Sequence, residues 1–217
     1  MIEVKKSVSE LWANMVQLLE ERSPGISICF NPPANESELM GIEKKMGLTL
    51  PQELRQLYLC NNGQNENGMG ILSGLDFLPL EELYIQWEIW RVLKEGATKE
   101  QMKILSERCS SFPLQAIKKV YTNEGWLPMT HDGAGNHIGV DLDPDCNGNV
   151  GQIINFGRDE DQKFVIARNL REYLTLVIGW IEGGYLEVCE KEGLFVIQFK
   201  DHSHPVDNYR ELLTIGK

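Results

Sequence analysis

The segment DPDCNG is the first place where residue type and spacing suggest chemistry. Asp143, Asp145, Asn147 and Gly148 fill the opening positions of a calcium-binding loop of EF-hand type, in which oxygen atoms surround a hard cation. The pattern breaks where the loop needs its final bidentate glutamate, because Ile154 stands there. The flanks read as strands rather than helices, so an acidic hairpin turn accounts for the segment better, and no metal is expected. The wider stretch 132–161 holds Asp132, Asp141, Asp143, Asp145, Asp159, Glu160 and Asp161 against a single Arg158. Acids on turns at the rim of a sheet suit docking to a Lys- and Arg-rich protein surface. The plainer alternative is a set of solvated loops.

Other chemistries find less support. The histidines are His131, His137, His202 and His204, and no HExxH or other spaced metal pattern occurs. His202-x-His204 needs further ligands to hold a metal. His131 beside Asp132 invites an acid–base reading, but catalysis needs a positioned substrate and adjacency alone does not supply one. There is no GxSxG nucleophile elbow and no GxxxxGK[ST] phosphate loop, and Gly68, Gly70 and Gly74 lack dinucleotide-binding spacing. Five cysteines (Cys29, Cys60, Cys109, Cys146 and Cys189) form no CxxC pair and read as reduced thiols. Trp87 and Trp90 read as core rather than a ligand cage. No catalytic residue and no cofactor is expected.

The acids must be positioned by strands. WLPMT, NHIGVDL, VGQIINF and KFVIA are short runs rich in β-branched and apolar residues, separated by HDGAG, DPDCNGN and GRDEDQ, which have strong turn composition. Sequential strands with short connections predict an antiparallel meander. The turns DPDCNGN and GRDEDQ then lie at opposite ends, so the acids do not share one patch. Gly133, Gly135 and Asn136 have turn chemistry, as does Gly148, and Gly151 suits a bulge or a close backbone approach. Trp126 and Pro128 sit in the first strand, with the Trp126 ring expected in the core and its N–H bonded locally.

Helices surround these strands. Val8, Leu11, Trp12, Met15, Leu18 and Leu19 predict a helix over residues 6–21, ended by Ser23-Pro24-Gly25. Asn35 and Glu38 form a capping box ahead of Leu39, Ile42 and Met46, and Gly47 ends that helix. Pro51 opens a second short helix carrying Leu54, Leu57 and Tyr58. Residues 80–94 read as helical. Residues 95–119 suggest a helical second half, broken at Pro113. Asn169 and Glu172 introduce a further helix that buries Leu170, Tyr173, Leu174, Val177, Ile178 and Ile181. LEVC and LFVIQF read as a final hairpin before a short terminal helix.

The chain has 217 residues with 42% hydrophobic and 24% charged, enough to bury a sizeable core. A net charge of −11 repels phosphate backbones, so nucleic acid is not an expected partner. MIEVKKSVSELW lacks the apolar stretch of a secretory signal, and no run approaches the ~20 apolar residues of a membrane span. A cytoplasmic location is expected.

Several of these pieces occur in a recognisable order: ELMGIEKKMGLTLPQELRQLYLCNNG, GLDFLPLEEL, GWLPMTHDGAGNHIGVDLDP and GNVGQIINFGRDEDQKFVIARNLREYL. Together they resemble the SUKH superfamily, which includes the yeast cell-wall-assembly regulator and many bacterial immunity proteins. The resemblance runs from about Glu36 to Tyr185. It implies an α+β fold, a central antiparallel meander with helices packed around it in a single domain. Residues 1–35 would be an N-terminal helix and linker, 36–185 the SUKH-like part, and 186–217 a hairpin and tail on the same domain. It also implies protein recognition and carries over no catalytic residues. The main functional expectation is an immunity protein whose acidic rim captures a basic toxin, such as a nuclease. The alternatives are a regulatory scaffold, and a metal-binding protein or unrecognised enzyme.

Overall fold

A computed structural model describes residues 6–201 and 204–215, with side chains as far as residue 211. The first helix, α1 (Val8–Arg22), begins at a Ser7–Glu10 capping box and buries Val8, Leu11, Trp12, Met15 and Leu19. After a 3-10 turn at Ile26–Cys29 come α2 (Glu36–Met46), opened by the Asn35–Glu38 box and closed by Gly47, and α3 (Gln52–Tyr58). Two short strands, β1 (Gly68–Met69) and β2 (Asp76–Phe77), lead to α4 (Leu80–Gly96).

Residues 95–119 depart from expectation. The helix is in the first half, α5 (Lys99–Glu107), opened by a Thr98–Gln101 capping box. A strand, β3 (Ser110–Phe112), follows it. Pro113 explains the reversal, since the residue before a proline is pushed out of the helical region and into extended backbone. Residues 113–121 then fold over the sheet, burying Ala116 and Ile117.

The expected meander is present as β4 (Trp126–Pro128), β5 (Thr130–His131), β6 (Asn136–Asp141), β7 (Gln152–Gly157) and β8 (Gln162–Ala167). The main sheet has the order β3-β8-β7-β6-β4, antiparallel except where β3 joins β8 in parallel. β5 instead pairs with β2. Helix α6 (Leu170–Glu182) follows, capped by Asn169. The hairpin of β9 (Leu186–Lys191) and β10 (Leu194–Phe199) takes β1 as a parallel third strand, and α7 (Pro205–Ile215) comes last.

Register separates the two faces of the main sheet. Leu127, Val140 and Ile153 are neighbours across β4, β6 and β7 and point into the main core beneath the helices. Trp126, Asp141 and Gln152 are neighbours one position along and point to the opposite face. There Trp126, Ile154 and Phe156 pack under Ala116 and Ile117 as a second apolar cluster. The main core includes Val8, Tyr58, Leu127, Tyr173 and Tyr209, so the first helix and the tail join the same body as the sheet.

Candidate interaction site

The seven acids separate into inward and outward groups. Asp132 sits in the turn between β5 and β6 with a side chain only 4% exposed. Its carboxylate accepts bonds from the backbone N–H of Ala134 (2.7 Å) and Asn136 (2.9 Å), from Asn136 Nδ2 (2.7 Å), and from His204 Nε2 (3.2 Å). Burial alone raises a carboxyl pKa, but here these bonds outweigh it and hold Asp132 well below the usual range.

Asp141 is fully buried on β6. It accepts from Gln152 Nε2 (2.8 Å) and the N–H of Asp143 (2.9 Å). Burial dominates at this position and pushes the carboxyl up to about 6. Glu160 is also buried, and burial raises it against the opposing bond from Asn155 Nδ2.

These three placements correct the expectation that every acid in the series faces outward. Short Asp and Glu side chains in tight turns are the nearest acceptors for the N–H groups that the turn leaves unpaired. Asp143 pairs with Lys118 (2.5 Å) and receives Asn123 Nδ2 (3.0 Å). The outward group is Asp145, Asp159 and Asp161, with Asp159 the most open. Asp145 accepts from the N–H of Cys146. Among the described residues no three acid, histidine or cysteine side chains converge to hold a metal ion, and His202 lies outside them.

His131 and Asp132 do not form the acid–base pair their adjacency suggested. His131 Nδ1 accepts from the N–H of Gly133 (2.9 Å), and the Asp132 carboxylate faces His204 instead. His137 is fully buried between Thr130 O (2.8 Å from Nδ1) and Trp90 Nε1 (3.1 Å from Nε2). An indole nitrogen only donates, so Nε2 accepts and Nδ1–H donates. Burial pushes this histidine down to about 4, and it is neutral at pH 7.

The positions expected to be structural are placed as follows. Gly133, Gly135 and Gly151 adopt positive φ. Asn136 ties Asp132 to the N–H of Asp159 (2.9 Å). A Cβ on Gly148 would lie 2.1 Å from Ala116 O, so this turn closes against the covering loop only with glycine. Pro128 lies opposite Gly139. Trp126 is buried as expected, but among the described residues its indole N–H finds no partner in hydrogen-bonding geometry. The ring lies against Phe156 and under Lys163 Nζ, 5.5 Å from the ring centre.

A feature that sequence reasoning missed lies along β8. A concavity of about 540 Å³ runs beside residues 162–168 and is walled by Phe112, Pro113, Ala116 and Arg210. Finding it requires knowing where β3 ends relative to β8, and no spacing in the sequence carries that.

The architecture is that of an α+β domain whose buried ionisable groups serve turns and whose accessible features are acidic bends and a strand-edge groove. The chain belongs to the SMI1 / KNR4 family (SUKH-1), whose family model matches residues 33–176. It is similar to the cell wall biosynthesis/cell cycle regulator smi1 of Schizosaccharomyces pombe, at 32% identity over 85% of this chain and 38% of that protein. It is 27% identical to the cell wall assembly regulator SMI1 of Saccharomyces cerevisiae, over 93% of this chain and 47% of that one. A glucan synthesis regulatory protein of Neurospora crassa is 29% identical over 82% of this chain and 39% of its own length. The chain therefore spans between about a third and a half of the length of these relatives. Among the described residues no helix is long and apolar enough to cross a membrane.

Proposed function

We propose that this chain is a non-catalytic regulatory domain that acts in the cytoplasm by binding another protein. The observation that carries the reading is similarity along most of the chain to fungal proteins named as regulators of wall assembly and glucan synthesis. The site geometry is compatible with it, because the buried Asp132, His137, Asp141 and Glu160 are occupied by bonds within the fold. We assign partner contact on the acidic bends to Asp143, Asp145, Asp159 and Asp161. Proximity labelling in the native cell, at native expression, tests the reading together with deletion of the gene. The same few proteins should be labelled in every replicate, and deletion should change tolerance to wall-digesting enzymes. Absence of both effects overturns it.

A second reading, an immunity protein, draws on the outward acids alone. Its partner would be a basic toxin whose nucleic-acid cleft they cover. Binding to such a toxin should be tight at low salt and fall as salt rises, and Asp159→Lys with Asp161→Lys should weaken it. Equal affinity of the double variant removes this reading.

A further inference from the structure

We infer that the groove beside β8 receives an extended, apolar peptide segment of a partner protein that carries an acidic residue, and that the segment pairs as an added strand. The inference rests on the protein-binding reading above and adds to its acidic bends a second contact, with a stated occupant. β3 pairs only with residues 162–164 of β8, the last match being Phe112 with Phe164. The chain then turns away at Pro113, which has no N–H to continue a ladder. On its inner side β8 continues against β7, with Val165 beside Ile154 and Ala167 beside Ile153. Along the outer side of Val165–Ala167 no strand is placed among the described residues. A strand edge without a ladder partner is a template for another chain.

The concavity follows that edge, with every residue from Gln162 to Arg168 on its wall. Phe112, 56% exposed, forms the rim where β3 stops. The lining is apolar at Pro113, Ala116, Phe164 and Ile166. Three residues at about 3.3 Å each give roughly 10 Å of open edge, so a segment of about five or six residues fills it with one or two flanking positions at each end.

Charge selects the occupant. The lining carries Arg168 and Arg210 at its surface against one carboxylate, Glu172, in a chain with 32 acidic and 21 basic residues; Lys163 lies beneath, 1% exposed, its Nζ donating to Glu160 O. Arg168 already pairs with Glu172, and Arg210 approaches Asp207 (3.4 Å) and Glu160 (3.9 Å). On the groove wall the two guanidiniums nonetheless outnumber the one carboxylate, and they favour a segment with Asp or Glu near the Arg168 end. A second copy of the chain is disfavoured, since pairing two such edges brings two cationic linings together.

The test uses the full chain and a phage-displayed random twelve-residue peptide library. Selected peptides should share an apolar run with β-branched residues and an Asp or Glu. As synthetic peptides they should protect the amides of Val165–Ala167 from hydrogen exchange. The variant Arg168→Glu with Arg210→Glu alters exposed charge, and Phe112→Lys alters the rim. Each should weaken binding at least about tenfold with unchanged circular dichroism, and a Lys in place of the peptide's acid should restore binding to the charge variant. Failure to enrich any peptide, equal binding by the variants, or protection elsewhere overturns the inference. So does a concentration-dependent dimer that protects the same amides, which would assign the edge to a second copy. If partners found by proximity labelling still bind the charge variant, the groove assignment fails while the protein-binding reading stands.

Discussion

Replacing Asp141 with Asn should change the stability of this protein in opposite directions at low and neutral pH. The wild-type carboxyl is raised from its ordinary 3.8 to about 6, chiefly by burial. A raised carboxyl binds its proton more tightly in the folded state than in the unfolded chain. Folding is therefore favoured below the unfolded value, and that advantage is lost as pH climbs from about 4 to about 6. At about 1.4 kcal/mol per pH unit, this amounts to about 3 kcal/mol. The substituted amide would not ionise and would carry no such dependence. It retains an oxygen for the N–H of Asp143 but presents an NH₂ group to Gln152 Nε2, which already donates to Ala116 O (2.9 Å). That mismatch costs about 1 kcal/mol at every pH. Asp141→Asn should thus be less stable than wild type by about 1 kcal/mol near pH 3.5, equal at about pH 4.5, and more stable by about 2 kcal/mol at pH 7. Urea unfolding of both proteins at half-unit steps gives the difference directly, and contributions from other carboxyls cancel in it. A stability difference that stays flat from pH 3.5 to 7 would refute the claim that Asp141 ionises at a cost to the fold.

Asn155 is fully buried, accepts from the N–H of Phe164 (2.6 Å), and donates to Gln162 O (3.0 Å) and to Glu160. Asn155→Ala leaves these groups unpaired and should lower unfolding free energy by about 3 kcal/mol in denaturant titration; a loss below about 1 kcal/mol would mean water replaces the side chain. A Cβ on Gly139 would sit 2.0 Å from Leu127 O, between paired strands, so Gly139→Ala should yield insoluble or unfolded protein. Gly133→Ala, at positive φ but in open space, should cost only about 1 kcal/mol in a thermal-melt assay. His204 is raised above its ordinary 6.5 first by its bond to Asp132. The stabilising charge pairing is present below that value and is lost as pH rises through the higher folded one. Asp132→Asn should bring the His204 NMR titration midpoint back down, and an unmoved midpoint would remove Asp132 as the cause.

Local signals were legible in the sequence because they are local in physics. Asn35 with Glu38 closes a four-residue box, and the structure forms it as written. The β-branched and apolar runs NHIGVDL, VGQIINF and KFVIA, with the turn residues between them, mark β6, β7 and β8. What the sequence did not reveal depends on distant partners. Thr98 and Gln101 form an equally good box, yet the helix expected in the second half of 95–119 lies in the first. Ala116 and Ile117 pack against Trp126 on the second sheet face, which a helical pattern does not foresee. The acids show the same limit. Asp132 and Asp159 both lie in Gly-containing turns, but one is sealed under Asn136 and His204 and the other is open. The choice rests on His204, which lies 72 residues from Asp132.

The position of the shifted groups also bears on what kind of work the domain does. Acid–base chemistry needs a displaced pKa and a reactant within bonding reach of it. The groups displaced into the useful range, or pushed far from it, include Asp132, His137, Asp141 and Glu160, and none of them lines the groove beside β8. Their hydrogen-bond partners include backbone N–H and C=O groups, amide side chains, an indole and the His204 imidazole, which fix turns or sheet register, and Glu160 also lies 3.9 Å from the Arg210 guanidinium. The groove instead offers a backbone edge, apolar walls and arginines, which recognise a chain without changing its bonds. On the proposed reading, affinity would come from ordering a partner segment. Mutation of its most perturbed ionisable groups should accordingly move stability, whereas mutation of Phe112 and Arg168 should move binding and leave stability nearly unchanged. A variant such as Asp141→Asn that abolished partner binding while remaining as stable as predicted would break that separation.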